Sequence, residues 1–167
     1  DSGDNYERKV STALGSKQFE NTDVYWADDI PMFSKKKARR YMGKVPFLLP
    51  HAAVGRNLAS GHAFGVADED FLNMPRLQEE EILATLGPLQ VVLCRAYIDG
   101  VRFSKAGSGD SFLAFYWSDV VSGERFLITV VRTQQLCKGC GCGGRCSVEA
   151  ILRVIAYSFE ALGNGKW

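Results

Sequence analysis

Residues 124–162 read ERFLITVVRTQQLCKGCGCGGRCSVEAILRVIAYSFEAL, and three patterns follow one another in that line. ERFLITVVRT is dense in β-branched and aromatic side chains, which fit a pleated, half-buried surface and predict a strand. From Ser147 onward Val148, Ile151, Leu152, Ile155, Phe159 and Leu162 recur at three- and four-residue steps. That period draws one apolar stripe along an α-helix, with Gly163 expected as the residue that ends it. Between strand and helix, Cys137, Cys140, Cys142 and Cys146 fall within ten positions.

Two more strands precede this unit. SFLAFYWSDVV alternates Phe112, Ala114 and Tyr116 against Leu113, Phe115 and Trp117, and Ser122-Gly123 supplies a tight turn into the next strand. Phe115, Tyr116 and Trp117 are read as packing residues. LQVVLCRAYI, from residue 89, is a further apolar run. Strand, strand, strand, helix predicts an α+β fold: a three-stranded antiparallel sheet with a helix packed on it. Residues 1–88 lack such order and are expected to form a loosely organised accessory region, with 89–167 as the sheet-and-helix unit. Within the first part VYWADDIPMF predicts a short extended piece broken at Pro31. VPFLLP predicts another, HAAVGRNLAS a short helix, and Asn73 to Leu86 a longer helix stopped by Gly87-Pro88. The chain opens without Met and stops just after a helix, so a piece of a longer polypeptide is expected.

Composition narrows the function classes. Apolar residues make up 46% and charged residues 23%, enough to bury a core, and a net charge of +1 advertises no polyanionic partner by itself. No run approaches the roughly 18 apolar residues of a membrane span, and the polar opening DSGDNYERKV has no signal-peptide order. The expected location is therefore inside the cell, without a membrane partner, where thiols stay reduced and clustered cysteines favour metal over disulfides. Five cysteines would also leave one over in a fully bridged framework.

The cysteine spacing, C-x2-C-x-C-x3-C, is more compact than the paired ligands of most zinc sites. Glycines at 139, 141, 143 and 144 give the backbone freedom to wrap, and Cys146 at the start of the helix would have its thiol acidity raised by the dipole. The reading adopted is one structural Zn²⁺ on Cys137, Cys140, Cys142 and Cys146. A loop whose thiols bind nothing or undergo redox exchange is one alternative, and a catalytic thiol another. The latter would need a histidine, and only His51 and His62 exist. Either histidine could instead replace one cysteine in the zinc shell.

A basic run, SKKKARRYMGK, carries Lys35, Lys36, Lys37, Arg39, Arg40 and Lys44. It could neutralise nucleic-acid phosphates, serve as a nuclear import signal, or be a solvated face. Trp26 and Tyr41 nearby could stack on bases.

Asp99 is the second candidate site. Asp99-Gly100 between apolar runs is a common hairpin-turn signal. Alternatively, the carboxylate leaves a central strand as a metal ligand, because two-metal phosphoryl transfer needs carboxylates on rigid elements. The element order from 89 to 162 is that of the opening of an RNase H-like fold, whose first strand carries the first catalytic Asp. The stretch Asp99 to Lys105, DGVRFSK, the aromatic strand pair, the cysteine insert and the terminal helix together resemble a segment of uncharacterised protist mobile-element proteins. Those proteins look like distant RNase H-like, DDE-type transposases. The resemblance covers about 80 residues and implies Asp99 as the first catalytic carboxylate. It also implies Mg²⁺ in a complete enzyme, and DNA as partner for phosphodiester cleavage or strand transfer. Asp110, Asp119, Glu124, Glu149 and Glu160 do not occupy the remaining positions of that plan, so the chain as it stands is expected to be inactive. The rival reading is a non-catalytic zinc-stabilised module that binds nucleic acid or protein. A thiol-based redox or metal-buffering role ranks third. Oligomeric state is not legible in the sequence.

Overall fold

The structure, a computed structural model, describes residues 24–61, 63–65, 94–102 (backbone only at 101 and 102) and 111–166. The helix expected over Asn73–Leu86 and the proposed boundary at residue 88 lie outside them. The described chain is α+β. Strands β1 (Tyr25–Ser34) and β2 (Arg39–Phe47) form an antiparallel hairpin, followed by helix α1 (Pro50–Ala59). Strands β3 (Cys94–Arg102), β4 (Ser111–Asp119) and β5 (Arg125–Arg132) form an antiparallel sheet in that order. A short 3₁₀ turn, Thr133–Gln135, leads to the cysteine loop and then to helix α2 (Arg145–Gly163).

The first half is better organised than its sequence suggests. Pro31 does not break the extended piece: it pairs with Met42 inside β1, which a strand can tolerate where the missing N–H faces away from the ladder. The basic run is a turn, Lys35–Ala38, together with the start of β2, and Val45–Phe47 is the end of the same strand. Alternation, with a register shift between Ala27 and Ile30, sends Ala27, Ile30, Met32, Val45 and Phe47 into the core, where they meet Phe115, Trp117, Ile128, Val131, Ile151 and Ile155 in one cluster. The end of β2 docks beside β5 through the Leu48 N–H donating to the Ile128 carbonyl at 2.8 Å. The Thr129 hydroxyl donates to the Pro46 carbonyl at 2.6 Å.

Helix α2 packs most closely on β1 and α1, and its buried line is turned from the stripe predicted by large apolar residues. Ile151 and Ile155 are buried, but Leu152 is 40% exposed, and the line is completed by Ser147, Ser158 and Ala161. The serines can be buried because each hydroxyl is satisfied. Ser158 Oγ lies 2.9 Å from His51 Nδ1 and accepts the His51 backbone N–H at the start of α1. The helix ends in a Schellman arrangement two residues later than the expected Gly163. Gly165, at φ 65°, is the left-handed residue, with Lys166 N–H bonded to the Ala161 carbonyl and Gly165 N–H to that of Leu162.

Candidate metal centre and the basic hairpin beside it

The cysteine loop is built where β5 runs out. Leu136 makes an isolated antiparallel bridge with Met32, which ties the loop to the free edge of β1. Next to it Cys137 is fully buried, and its backbone N–H donates to Ser147 Oγ at 2.7 Å. The Ser147 hydroxyl in turn donates to the Pro31 carbonyl. One serine thus joins the first cysteine, the first turn of α2 and β1. Sequence reasoning passed over it because a serine after a cysteine carries no distinctive signal.

The chain then folds back on itself. Gly141, Gly143 and Gly144 all take positive φ. Gly144 is the residue before α2, at φ 100°, and a methyl group there would stand 3.2 Å from Leu136 Cβ. An L side chain in that conformation is strained and crowded at once. Gly144→Ala is expected to cost about 1–2 kcal/mol and to weaken metal retention. Chemical unfolding alongside competition with a chromogenic chelator checks both, and an alanine variant with unchanged stability would contradict this account of the loop.

The result is that the four sulfur atoms of Cys137, Cys140, Cys142 and Cys146 lie within 4.8 Å of one another. Cys137 and Cys140 are 3.5 Å apart, Cys140 and Cys146 3.3 Å. A tetrahedral ion with Zn–S bonds of about 2.3 Å requires sulfurs separated by about 3.8 Å, so four soft donors at this spacing fit such an ion. The electrostatics agree. The Cys146 backbone N–H, followed by contacts from the Cys140 and Cys146 thiols, pulls Cys142 down to about 6. Hydrogen bonding to Cys142 and then Cys140 pushes Cys146 up to about 12, and burial raises Cys137. The thiol most readily ionised is therefore Cys142, which receives the N-terminal N–H groups of α2, rather than Cys146, which sits in the first turn. Four thiols at this distance cannot all ionise unless a cation lies among them.

His51 does not join the cluster: it is on α1 against Ser158 and Tyr157; His62 lies outside the described residues. Among the described residues this is the only group of three or more His, Cys, Asp or Glu side chains placed to share an ion.

The basic residues lie on the hairpin that the cysteine loop meets at Arg40. Lys35, Lys36 and Lys37 occupy the hairpin turn, and Arg39, Arg40 and Lys44 lie on β2, all exposed. The loop meets the hairpin at Gly139, where a methyl group would stand 3.7 Å from Arg40 Cβ and the Phe33 ring. Lys44 is paired with Asp28 at 2.8 Å, and that hydrogen bond and charge raise its pKa. Tyr41 is half-buried against the core, whereas Trp26 is 39% exposed.

Asp99 lies in the middle of β3, opposite Ala114, and is exposed. Neither it nor Gly100 takes a positive φ, so the hairpin-turn reading fails. Continuous pairing from Cys94 to Arg102, with Tyr97 stacked on Tyr116 at 5.1 Å between centroids, holds the chain extended through the Asp-Gly pair. β3 is an outer strand of its sheet, with β4 central. Among the described residues the buried acidic residue is Asp119, at the end of β4, which accepts the Gly65 N–H at 2.6 Å and the Val121 N–H at 2.9 Å. No helix among the described residues is long and apolar enough to cross a membrane. No protein-family model, no curated protein and no solved structure matches this chain.

Proposed function

We propose that this chain is a metal-stabilised nucleic-acid-binding module, in which one Zn²⁺ on Cys137, Cys140, Cys142 and Cys146 fixes the cysteine loop against the basic β1–β2 hairpin. The observation that carries this reading is the direct seating of the loop on the hairpin, at Gly139 over Phe33 and Arg40 and through Ser147 at Pro31. The role of the ion is structural, because four protein ligands complete a tetrahedron and leave no position for a substrate. The hairpin contributes sequence-independent contacts to phosphates, with DNA the expected polymer. Cleavage or strand transfer through Asp99 would require further carboxylates and Mg²⁺. Among the described residues Asp99 belongs to no group of three or more potential metal ligands, so the proposal concerns binding.

The test is a salt titration of a labelled oligonucleotide bound to zinc-loaded protein. Affinity should fall linearly with salt on logarithmic axes, and glutamine at Lys35, Lys36 and Lys37 together should reduce the slope by about 0.9 for each lost phosphate contact. Protein stripped by a chelator should bind more weakly. No binding by the zinc-loaded protein at low salt would refute the reading.

A further inference from the structure

The β1–β2 hairpin has two faces of different fate. One faces the core with Ala27, Ile30, Met32, Val45 and Phe47. The register places Phe33 opposite Arg40, Pro31 opposite Met42 and Trp26 opposite Pro46, so these side chains share the other face with Lys44. A sheet face turned to water normally alternates to polar residues. This one keeps Trp26 at 39% and Met42 at 52% exposure among its cations.

We infer, on the nucleic-acid-binding reading above, that this outer face takes single-stranded nucleic acid, with an unpaired base stacked on Trp26 and the backbone led past Arg40 toward the metal loop. Charge selects the partner. The turn and the adjoining strand present Lys35, Lys36, Lys37, Arg39 and Arg40 with no acidic residue between them in sequence, and a polyanion is the complement. At the other end Asp28 neutralises Lys44, which keeps phosphates away from the indole and leaves that end for a base. From Arg40 to Pro46, opposite Trp26, the strand rises about 20 Å at about 3.3 Å per residue, so backbone and base contacts are set out along one extended track. A duplex hides the faces of its bases in the stack, and an aromatic ring on an open sheet reaches a base face only where the base is unpaired.

The experiment compares fluorescence anisotropy of a short labelled oligothymidine with that of a hairpin duplex of matched charge, using the full zinc-loaded chain. The wild type should prefer the single strand. Trp26→Ala should lose about tenfold on the single strand and little on the duplex, with its salt slope unchanged. Trp26→Phe should restore most of the loss. Trp26→Leu, which keeps apolar bulk on the hairpin but has no π-face, should bind as poorly as the alanine variant, and metal content and thermal midpoint verify that each variant is folded. Asp28→Asn should tighten binding by about threefold, as expected for removing one exposed charge. Equal affinity for both nucleic acids with no effect of Trp26 would overturn the single-strand assignment while leaving the binding reading in place. Failure to bind either one at low salt would remove both together.

Discussion

Serine in place of Cys137 is expected to leave the chain without its metal and to lower its thermal midpoint by roughly 8–16 °C, about 4 kcal/mol at the 2–4 °C per kcal/mol usual for a protein of this size. The reason lies in where that thiol is. Cys137 is fully buried, next to the bridge between Leu136 and Met32, and its N–H is held by the serine that also bonds to Pro31. A metal bound there does more than close a surface loop: it fixes the start of α2 to the edge of β1, and its binding free energy is folding free energy. A hydroxyl at the same position is a poor ligand and is buried. Elemental analysis should give about one zinc per wild-type chain, for the four ligands of a tetrahedral site, and almost none for Cys137→Ser. Cys94→Ser should retain the metal, since Cys94 lies on β3, outside the cluster. Native wild-type protein in which all four loop thiols react at once with a thiol reagent, and which carries no metal, would end this account.

Asp119→Ala is expected to cost about 3 kcal/mol, because hydrogen bonds to a charged group contribute roughly 1.5–3 kcal/mol each and a donor left unsatisfied adds to the loss. The carboxylate is completely buried at the end of β4. One oxygen accepts the Gly65 N–H from the segment after α1, and the other accepts the Val121 N–H of the β4–β5 turn. The turn is closed by the Gly123 N–H donating to the Asp119 carbonyl. Burial by itself would raise the pKa. The bonds from Gly65, Ser122 and Val121 outweigh it and hold the carboxyl below its ordinary value. The sign follows from that direction. A depressed folded pKa means that the stabilisation is fully present above the unfolded value, about 3.9, and is lost as pH falls through the lower folded value. Wild-type stability should therefore decline as the solution is acidified below about pH 4, and Asp119→Asn should show a flatter dependence there. Urea unfolding across that range measures it. An asparagine variant with the wild-type acid slope would assign the effect to other carboxylates.

What could be read without coordinates was what depends on near neighbours in the chain. The alternating runs that became β4 and β5, the three- and four-residue period of α2, and the density of cysteines before it are all local signals. Each led to the right element type, because propensity and periodicity act over a few residues. The basic run was legible as charge but not as a hairpin. Pairing Trp26–Ser34 with Arg39–Pro46 is a cross-strand matter, and Pro31 in the middle argued locally against it. Asp99-Gly100 failed for the same reason: the dipeptide permits a turn, but nine successive pairings with β4 keep it extended. The stripe on α2 was misread in rotation, since apolar size pointed to Leu152 while partners on β1 and α1 allowed Ser147 and Ser158 to be buried instead. A polar residue can be taken out of water only where the fold brings it a partner. The sequence alone therefore determined the elements of the second half and the residues of the cysteine cluster. Tertiary structure alone decided that Ser147 binds that cluster to β1, that Asp119 pins the Gly65 segment, and that the cysteine loop meets the basic strand at Gly139 and Arg40. Those outcomes rest on contacts between residues distant in the chain, which no local pattern encodes.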